Sequence, residues 1–480
     1  ITVISTTGQA YVDGMRFVQF YFGLPIAMVI ICMTAVPIFH KAGVFTAYEY
    51  LEKRFDSKTR ILVSSIFLIQ RGLAVGVALS APAIVLTVIF GWSGTWTTVI
   101  TGFVVVIYTA MGGIKAIAWT DVQQMLVLLL GIVLSLIVAV NMMPADISFI
   151  DAIRIAGAAD KINPLTTTVD WNDRYNMWSG LIGGTFLALA YFGCDQSQVQ
   201  RYLTGSSITQ SRLSLLFNAV AKIPMQLLIL FVGAILFSFY VFEPHPVLFQ
   251  KAEHPHHMDL DSQYAAAHGK RAAAARAYVQ GRPEALEEFR TANSEMQSLR
   301  ASTNVNDANY VFLSFVEKHM PVGMVGLLIA VILTAAMTTI SGEINSLATV
   351  SVIDIYKRYI QPEASDHHYF RFSQLATVFW GIYAVITARY AQNLGSLIEA
   401  VNMLGSLFYG GLLGIFTLAF YFPRVGANAA FIGVLAGEAA IFSARFFTGI
   451  SFLWYNVIGC AVVILTALLI ESFKRPSSQY

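Results

Sequence analysis

A stripe of small polar side chains runs along an otherwise apolar segment, AAMTTISGEINSLATVSVIDIYKR at residues 335–358. At about 100° per residue, its members fall within about 60° of one line on a helix. They are Ala335, Thr338, Thr339, Gly342, Ser346 and Thr349. Hydroxyl and carbonyl oxygens without a cluster of carboxylates suit Na⁺, since Ca²⁺ prefers several carboxylates. The same hydroxyls could instead bond to carbonyls of their own helix or pack two helices together, so a cation site and a packing role both remain open.

Charged residues also lie well inside apolar segments. Gln70 and Arg71 stand within the run at residues 61–90, where an arginine either faces a cavity or snorkels to the membrane surface. Asp195 stands near the end of another run, and Lys222 lies in the next one. A lysine or arginine partner is the arrangement that best stabilises a buried aspartate.

Two further acids have local explanations. Asp121 is predicted to open a helix in the sequence AWTDVQQ, where the helix dipole favours a negative charge. Glu343 lies at about 80° from the centre of the hydroxyl stripe and should therefore border the same cavity. The sequence leaves open whether Glu343 is protonated, paired or coordinating.

Other potential ligands have weaker patterns. The run HPHH at residues 254–257 could bind a metal, although exposed histidine-rich loops are commonly solvated. Cys32, Cys194 and Cys460 all fall in apolar runs and have neither disulfide nor zinc-site spacing. We therefore interpret the cysteines as packing residues and expect no metal site beyond sodium.

The composition identifies the elements that must position these residues. Hydrophobic residues make up 56% of the 480 residues, charged residues 12%, and the mean hydropathy is +0.64, which indicates an all-α integral membrane protein. Apolar runs of membrane-spanning length recur along the chain. They lie at residues 17–39, 61–90, 94–111, 122–143, 177–195, 213–242, 321–353, 373–391, 397–422, 426–447 and 452–471. The opening stretch ITVISTTGQAYVDG is too short to cross a bilayer and is interpreted as the back half of a helix.

The distribution of lysine and arginine predicts the orientation in the membrane. One set of loops holds Lys41, Lys53, Arg54, Lys58, Arg60, Lys115, Arg201, Arg212, Lys357, Arg358, Arg371, Arg424, Lys474 and Arg475. Outside the long insertion, the alternate loops hold only Arg16, Arg154, Lys161, Arg174, Arg389 and Arg445. The first set is therefore predicted to be cytoplasmic. A net charge of +2 gives no indication of a nucleic-acid partner.

Two polar stretches are predicted on the opposite, non-cytoplasmic side. They are a loop at residues 144–176 and an insertion at residues 243–310. The insertion combines alanine-rich and charged segments around Gly281 and Pro283, which predicts two short helices in a hairpin.

Four segments in order resemble the sodium:solute symporter family. They are FTAYEYLEKRF at residues 45–55, YTAMGGIKAIAWTDVQQ at 108–124, CDQSQVQRYL at 194–203 and the hydroxyl-bearing segment at 335–358. The form DQSQVQRYL is most similar to the branch of iodide, monocarboxylate and multivitamin transporters. Asp195 stands where that branch commonly has asparagine, which argues against an anionic solute.

The resemblance implies a LeuT-type fold of two inverted five-helix repeats followed by two peripheral helices. The first repeat would cover residues 1–143, truncated at its first helix, and the second would cover 177–422, with the peripheral helices and a cytoplasmic tail in 423–480. It also implies site residues. Sodium would be bound by the Ala335 carbonyl and the Thr338 and Thr339 hydroxyls, with Asp121 and Gln124 on its exit path, and the solute by Gln70, Arg71, Asp195, Gln198 and Asn402. The matching first-helix carbonyls would lie before Ile1.

These observations predict a sodium-coupled symporter that imports a small organic solute by alternating access. The expected partners are the solute, Na⁺ and the lipid bilayer, in a multi-pass protein of the plasma (inner) membrane that does not require oligomerisation. Proton coupling through Asp195 or Glu343 is the alternative within this class, and a channel or a sensor is the alternative outside it. No grouping of a nucleophile, metal or acid pair in the apolar runs indicates an enzyme.

Overall fold

The computed structural model describes residues 1–111, 117–203, 205, 207–250, 258–391 and 395–473, and the regular structure within these ranges is helical. The first part of the chain contains α1 (Thr2–Asp13), a 3₁₀ segment (Met15–Tyr21), α2 (Leu24–Met33), α3 (Ala35–Ala42), α4 (Ala47–Arg54), α5 (Ser57–Phe90), α6 (Gly94–Met111), α7 (Ile117–Asn141) and α8 (Phe149–Ala158).

The middle and last parts continue the helical pattern. They contain a π-helical turn (Ser179–Gly183), α9 (Gly184–Gly193), α10 (Gln196–Leu203), α11 (Ile208–Phe242), α12 (Met258–Val279), α13 (Ala285–Ala301), α14 (Ala308–His319), α15 (Val322–Val350), a π-helical extension of α15 (Ser351–Ile360), α16 (Asp366–Ala391), α17 (Leu397–Tyr421), α18 (Ala427–Phe447) and α19 (Leu453–Phe473).

Eight helical stretches in the described part of the chain are long and apolar enough to cross a membrane. They are Met15–Ala42, Ser57–Phe90, Asp121–Asn141, Ile208–Phe242, Val322–Ile360, Leu397–Tyr421, Ala427–Phe447 and Leu453–Phe473. Two shorter apolar helices, Gly94–Ala110 and Ser179–Gly193, lie between them. The prediction of an all-α, multi-pass membrane protein is confirmed.

The first predicted span, residues 17–39, is divided into three helical pieces. Pro25 stands in the first turn of α2, where its missing N–H does no harm. Thr34 separates α2 from α3, and its hydroxyl donates to the Ile30 carbonyl at 2.7 Å. Hydropathy predicted the length of this span. It could not predict the division into three pieces, because such breaks do not change the hydropathy of the segment.

The predicted hairpin of the insertion is present as α12 packed against α13. Gly281 turns the chain between them with φ of 90°, in the region that favours glycine. Further helices outside the apolar runs were not predicted, among them α8 and α14. The helix α8 begins with a capping box in which Ser148 and Asp151 satisfy each other's backbone N–H groups, and α14 lies between the insertion and α15.

Close packing places α1 in the centre of the helix bundle, against α11 and α14. At Gly8, the α14 backbone approaches so closely that a Cβ atom would overlap the Ala308 carbonyl. A second close contact joins α17 to α19 at Gly410 and Gly459. Small residues therefore set the spacing of helices at both positions.

Candidate functional site

The site is organised by a break between α9 and α10. The helix α9 ends at Gly193 and α10 begins at Gln196, so that Asp195 lies in the interruption. Its Oδ1 accepts hydrogen bonds from the Ser197 backbone N–H at 2.9 Å and from the Ser197 hydroxyl at 2.7 Å. Asp195 is fully buried, and the break positions its second oxygen to face other helices.

That second oxygen forms an ion pair with Arg71 from the middle of α5. The guanidinium Nη2 of Arg71 donates to Asp195 Oδ2 and to the Tyr409 hydroxyl, the latter at 2.8 Å. Tyr409, on α17, donates in turn to Asp195 Oδ2 at 3.0 Å. The Gln70 side-chain amide also donates to the Tyr409 hydroxyl at 3.3 Å. One tyrosine thus connects the arginine, the aspartate and the glutamine.

Glu343 of α15 completes this charged cluster. Its Oε1 lies 3.4 Å from Arg71 Nη1, and the Tyr191 ring covers the guanidinium at 5.5 Å from Cζ to the ring centroid. Arg71 is only 2% exposed, so the snorkelling interpretation is wrong: the guanidinium is held between two carboxylates. Arg71 Nε and Glu343 Oε2 are buried and have no hydrogen-bond partner among the described residues.

The hydroxyl stripe on α15 has the local bonding pattern of membrane helices. Thr338 Oγ1 donates to the Ala335 carbonyl at 3.1 Å, and Thr339 Oγ1 donates to the same carbonyl at 2.9 Å. Three oxygens therefore converge on one turn of the helix. Because each hydroxyl oxygen donates its single proton, its lone pairs remain available to a cation.

A cavity of about 390 Å³ connects this turn with the charged cluster. Ala335, Thr339 and Glu343 of α15 line it, with Tyr191 of α9 and Lys222 of α11. The remaining lining is largely apolar and comes mainly from α1, α5, α7, α11 and α17. The cavity is thus a mostly apolar chamber with a few polar groups, the usual form of a small-molecule site.

Lys222 is not the partner of Asp195. Its Nζ lies 5.6 Å from the centroid of the Tyr21 ring, and the structure gives it no ion pair with any carboxylate that it describes. The sequence offered lysine or arginine as the partner of Asp195, and the structure places Arg71 there.

The other predicted solute residues lie near the cavity without lining it. Gln198 donates to the Tyr191 hydroxyl at 2.9 Å. Asn402 donates to the Ile398 carbonyl of its own helix at 2.7 Å, while Ile398 and Val401 do line the cavity. Tyr191 and Glu343 form part of the cavity wall. They separate the cavity from Gln70, Arg71 and Asp195.

The predicted sodium-path residues lie on α7. Asp121 is exposed, and the helix is already formed at Ile117, so the interpretation of Asp121 as a first-turn acid is wrong. Gln124 has a buried Oε1 without a partner in the described chain. The next residue, Met125, reaches the cavity wall.

A second charged cluster, at Asp354, was not anticipated from the sequence. Asp354, fully buried in the extension of α15, accepts from the Thr46 hydroxyl at 2.8 Å and from Arg60 Nε at 2.7 Å. Arg60 also binds Glu52 of α4 at 2.5 Å, and Arg358 binds the other oxygen of Glu52 at 2.7 Å. Although partial burial opposes the shift, hydrogen bonds from Arg60 and Arg358 lower the pKa of Glu52. These ion pairs and hydrogen bonds hold α4 and α5 against the end of α15.

Sequence reasoning also missed Tyr409 and the position of Tyr191. The available signal was a tyrosine within an apolar helix, since a buried hydroxyl needs a hydrogen-bond partner.

The histidine run at residues 254–257 lies outside the described residues. Among the described residues, no group of three or more histidine, cysteine, aspartate or glutamate side chains is arranged to hold a metal ion.

A bundle of membrane-length helices around an interrupted helix and a central polar cavity is typical of secondary transporters. The model of the sodium:solute symporter family matches residues 2–258 and 289–437. The chain therefore belongs to the sodium:solute symporter family, as its motifs predicted.

Curated relatives agree with this assignment. The sodium-coupled monocarboxylate transporter 1 of Homo sapiens is 29% identical over 439 residues, which cover 92% of this chain and 63% of the relative. The sodium/sialic acid symporter SiaT of Proteus mirabilis (strain HI4320) is 26% identical over 487 residues, covering 100% and 86%. The chain thus spans less than two thirds of the length of the monocarboxylate transporter. These relatives are named as transporters rather than enzymes.

The fold is also found in a solved structure. A Na⁺-coupled sialic acid symporter, described as substrate-bound, outward-open and with a novel Na⁺ site, matches with a TM-score of 0.76 at 23% identity. The match covers 100% of this chain and 88% of that one. The predicted LeuT-type helical fold is confirmed.

Proposed function

We propose that this protein is a sodium-coupled symporter that imports a small organic solute by alternating access. Membership of the sodium:solute symporter family supports the proposal. The observation that carries it is the cavity in which the Ala335–Thr339 turn shares a wall with Glu343 and Tyr191. A cation and a solute bound there would be close enough to stabilise each other, which is the requirement for coupled transport.

Sodium is proposed to bind at the Ala335 carbonyl and the Thr338 and Thr339 hydroxyls. The convergence of these oxygens within one helical turn supports this assignment. Asp121 and Gln124 on the neighbouring α7 are proposed to line the path by which sodium leaves.

The solute is proposed to bind beside Tyr191 and Glu343, with Gln70, Arg71, Asp195, Gln198 and Asn402 behind them or at the edges. The named relatives carry acids, and Arg71 is the group that would attract a carboxylate. In this chain Asp195 and Glu343 already bind Arg71. An anionic solute must therefore compete with both, which favours a solute that is not a simple anion.

The proposed setting is the plasma (inner) membrane, with the lysine- and arginine-rich loops in the cytoplasm. The proposed repeats are residues 1–143 and 177–422, with α18 and α19 at the periphery. In this arrangement the break at Asp195 falls in the first helix of the second repeat, where the fold places its binding site.

Proton coupling remains a second candidate because one observation favours it. Glu343 lines the cavity, and its Oε2 has no hydrogen-bond partner among the described residues. A carboxylate in that position is able to take up and release a proton during transport.

Uptake by proteoliposomes containing the full-length protein tests both candidates. A panel of labelled sugars, amino acids, monocarboxylates and vitamins is supplied with an inward sodium gradient, an inward proton gradient, or neither. We expect accumulation of at least one solute with the sodium gradient alone. Equal accumulation with a proton gradient in sodium-free buffer would favour the second candidate, and no accumulation of any solute under either gradient would count against both.

A further inference from the structure

A second cavity, of about 410 Å³, lies at the end of α1. Its wall is formed by Tyr11–Asp13, by Phe237 near the end of α11, and by side chains of α12 and α13. It shares no lining residue with the cavity at Glu343. The helical insertion therefore contributes to the wall of a separate chamber beside α1 and α11.

Arg271 of α12 is the central charged residue of this chamber. It is 3% exposed, and its Nη2 donates to the Tyr240 carbonyl at 2.7 Å. Its Nε is buried and has no hydrogen-bond partner in the described chain. None of the carboxylates described by the structure forms an ion pair with Arg271. A buried guanidinium that keeps an unused donor and lacks a counter-charge is stabilised when an anion binds.

The neighbouring charged residues do not supply a carboxylate partner for Arg271. Arg300 forms an ion pair with Asp307, which also accepts from the backbone N–H of Phe249. The carboxylate of Asp307 is thus fully engaged. Burial lowers the pKa of Arg271, as expected for a guanidinium without a nearby acid.

A second buried cation, Lys161, lies against the same aromatic ring as Arg271. Its Nζ lies 5.4 Å from the centroid of the Phe237 ring, and Arg271 Cζ lies 5.8 Å from the same centroid. Lys161 donates to the Val12 carbonyl, and burial lowers its pKa to about 8. Lys161 lies outside the cavity lining, where Asp13 and Asp160 favour its charged form, and Asp307 pairs with Arg300. Arg271 is therefore the one of these three cations on which no described carboxylate acts.

We propose that this chamber is a binding site for a small carboxylate anion, with Arg271 as its principal ligand. The guanidinium offers parallel N–H donors that match a carboxylate. The side chains of Asn293, which is 8% exposed, and Gln297 line the same cavity and supply further donors. The site is separate from the sodium and solute residues of the proposed transport pathway, so it does not depend on that function.

Arg271 has a purely structural alternative, which is to cap the carboxyl end of α11 through the Tyr240 carbonyl. A cap alone predicts lower stability in a variant but no anion binding in the native protein. The two roles therefore differ in equilibrium binding.

The test is binding of radiolabelled propionate to the purified full-length protein in sodium-free, chloride-free potassium–HEPES buffer. We expect saturable binding that is weakened about tenfold or more by Arg271→Gln. Arg276→Gln is the matched control, because Arg276 lies on the same helix, is exposed and pairs with Asp146 outside the cavity. This control should bind propionate as the native protein does.

Asn293→Leu keeps Arg271 and fills part of the cavity, so it decides the outcome if Arg271→Gln fails to fold. It should also weaken binding, and melting temperatures establish that each variant is folded. The proposal is overturned by an absence of saturable propionate binding in the native protein, or by binding that folded Arg271→Gln and Asn293→Leu both retain.

Discussion

The role of Asp195 depends on the residues that bind its two carboxylate oxygens. Both of its carboxylate oxygens are occupied, one by Ser197 and the other by Arg71 and Tyr409. The sequence suggested either a pocket wall or a buried ion pair. The structure has the ion pair, one layer behind a cavity whose wall is formed by Tyr191 and Glu343.

Replacement of Asp195 by asparagine should therefore lower stability. The variant keeps the shape of the side chain but leaves the buried Arg71 with Glu343 as its single carboxylate, at 3.4 Å. Removing one member of a buried pair typically costs about 3–5 kcal/mol. Thermal melting of the purified protein measures the loss.

Glu317→Gln, which removes an exposed carboxylate on α14, is the control and should change stability by no more than about 0.5 kcal/mol. An unchanged melting temperature in Asp195→Asn, together with a changed solute preference, would show instead that Asp195 acts mainly on the solute.

The double variant Thr338→Ala, Thr339→Ala tests the proposed sodium site. Removing two oxygen ligands leaves a bound cation partly dehydrated, so the sodium concentration for half-maximal transport should rise about tenfold or more. Sodium-dependent uptake measures this. Thr334→Ala removes a hydroxyl that bonds to its own helix in the same way, at 2.8 Å from the Ala330 carbonyl. Thr334 lies one turn before Thr338.

The Thr334→Ala control should leave the sodium dependence as it is. If the double variant had the same sodium dependence as the native protein, the α15 hydroxyls would have only the packing role that their local hydrogen bonds permit.

At the scale of single residues, local chemistry was predictable and long-range pairing was not. The hydroxyl stripe follows from helical spacing within one segment. Arg71 and Asp195, in contrast, are 124 positions apart in sequence, and Arg71 and Glu343 are 272 apart. Spacing carries no information at such separations, so the partner of each buried charge had to come from the fold.

Among the elements, the contact between α17 and α18 holds an unusual acid. Glu438 of α18 packs against Gly411 of α17, and both of its carboxylate oxygens are buried without a hydrogen-bond partner among the described residues. A charge in such surroundings is costly, so this contact does not rely on an ion pair within the described chain.

Replacement of Glu438 by glutamine should therefore leave stability unchanged or raise it by about 1 kcal/mol, because no paired charge is lost. Asp354→Asn is the matched comparison, since Asp354 is a buried carboxylate that binds Arg60 and Thr46, and it should lower the melting temperature. A large loss of stability in Glu438→Gln would reveal an unseen partner for this acid.

Element positions were predicted well where hydropathy alone determines them. The predicted run 397–422 corresponds to Leu397–Tyr421, and 426–447 corresponds to Ala427–Phe447. Hydropathy could not identify α8 and α14, which are short and lie outside the spans. Their ends depend on caps and on packing against α1 and α11, which a composition window does not detect.

For the molecule as a whole, orientation is the prediction with the widest consequences. Cysteines placed at Lys270 and Arg290 in the insertion, and at Glu363 after α15, would all be exposed. The three native cysteines are buried, so they give a low background. The first two positions should react with an impermeant thiol reagent added from outside cells, and Glu363→Cys should react only after the membrane is permeabilised.

Reaction at position 363 from outside, with protection at 270 and 290, would reverse the orientation. It would also remove the basis for assigning the repeats, and it would put the insertion at residues 243–310, which contains Arg271, on the cytoplasmic side.

The Asp354 cluster has a consequence for the kinetics of any movement at its end of the bundle. Asp354 holds Thr46 and Arg60 at the same time, and Arg60 and Arg358 share Glu52. Partial separation of α4, α5 and the end of α15 would leave buried charges unpaired, which is less favourable than either the closed cluster or a fully hydrated one. We therefore expect opening at this end to occur in a single step, with one activation barrier that determines how long the cluster stays closed.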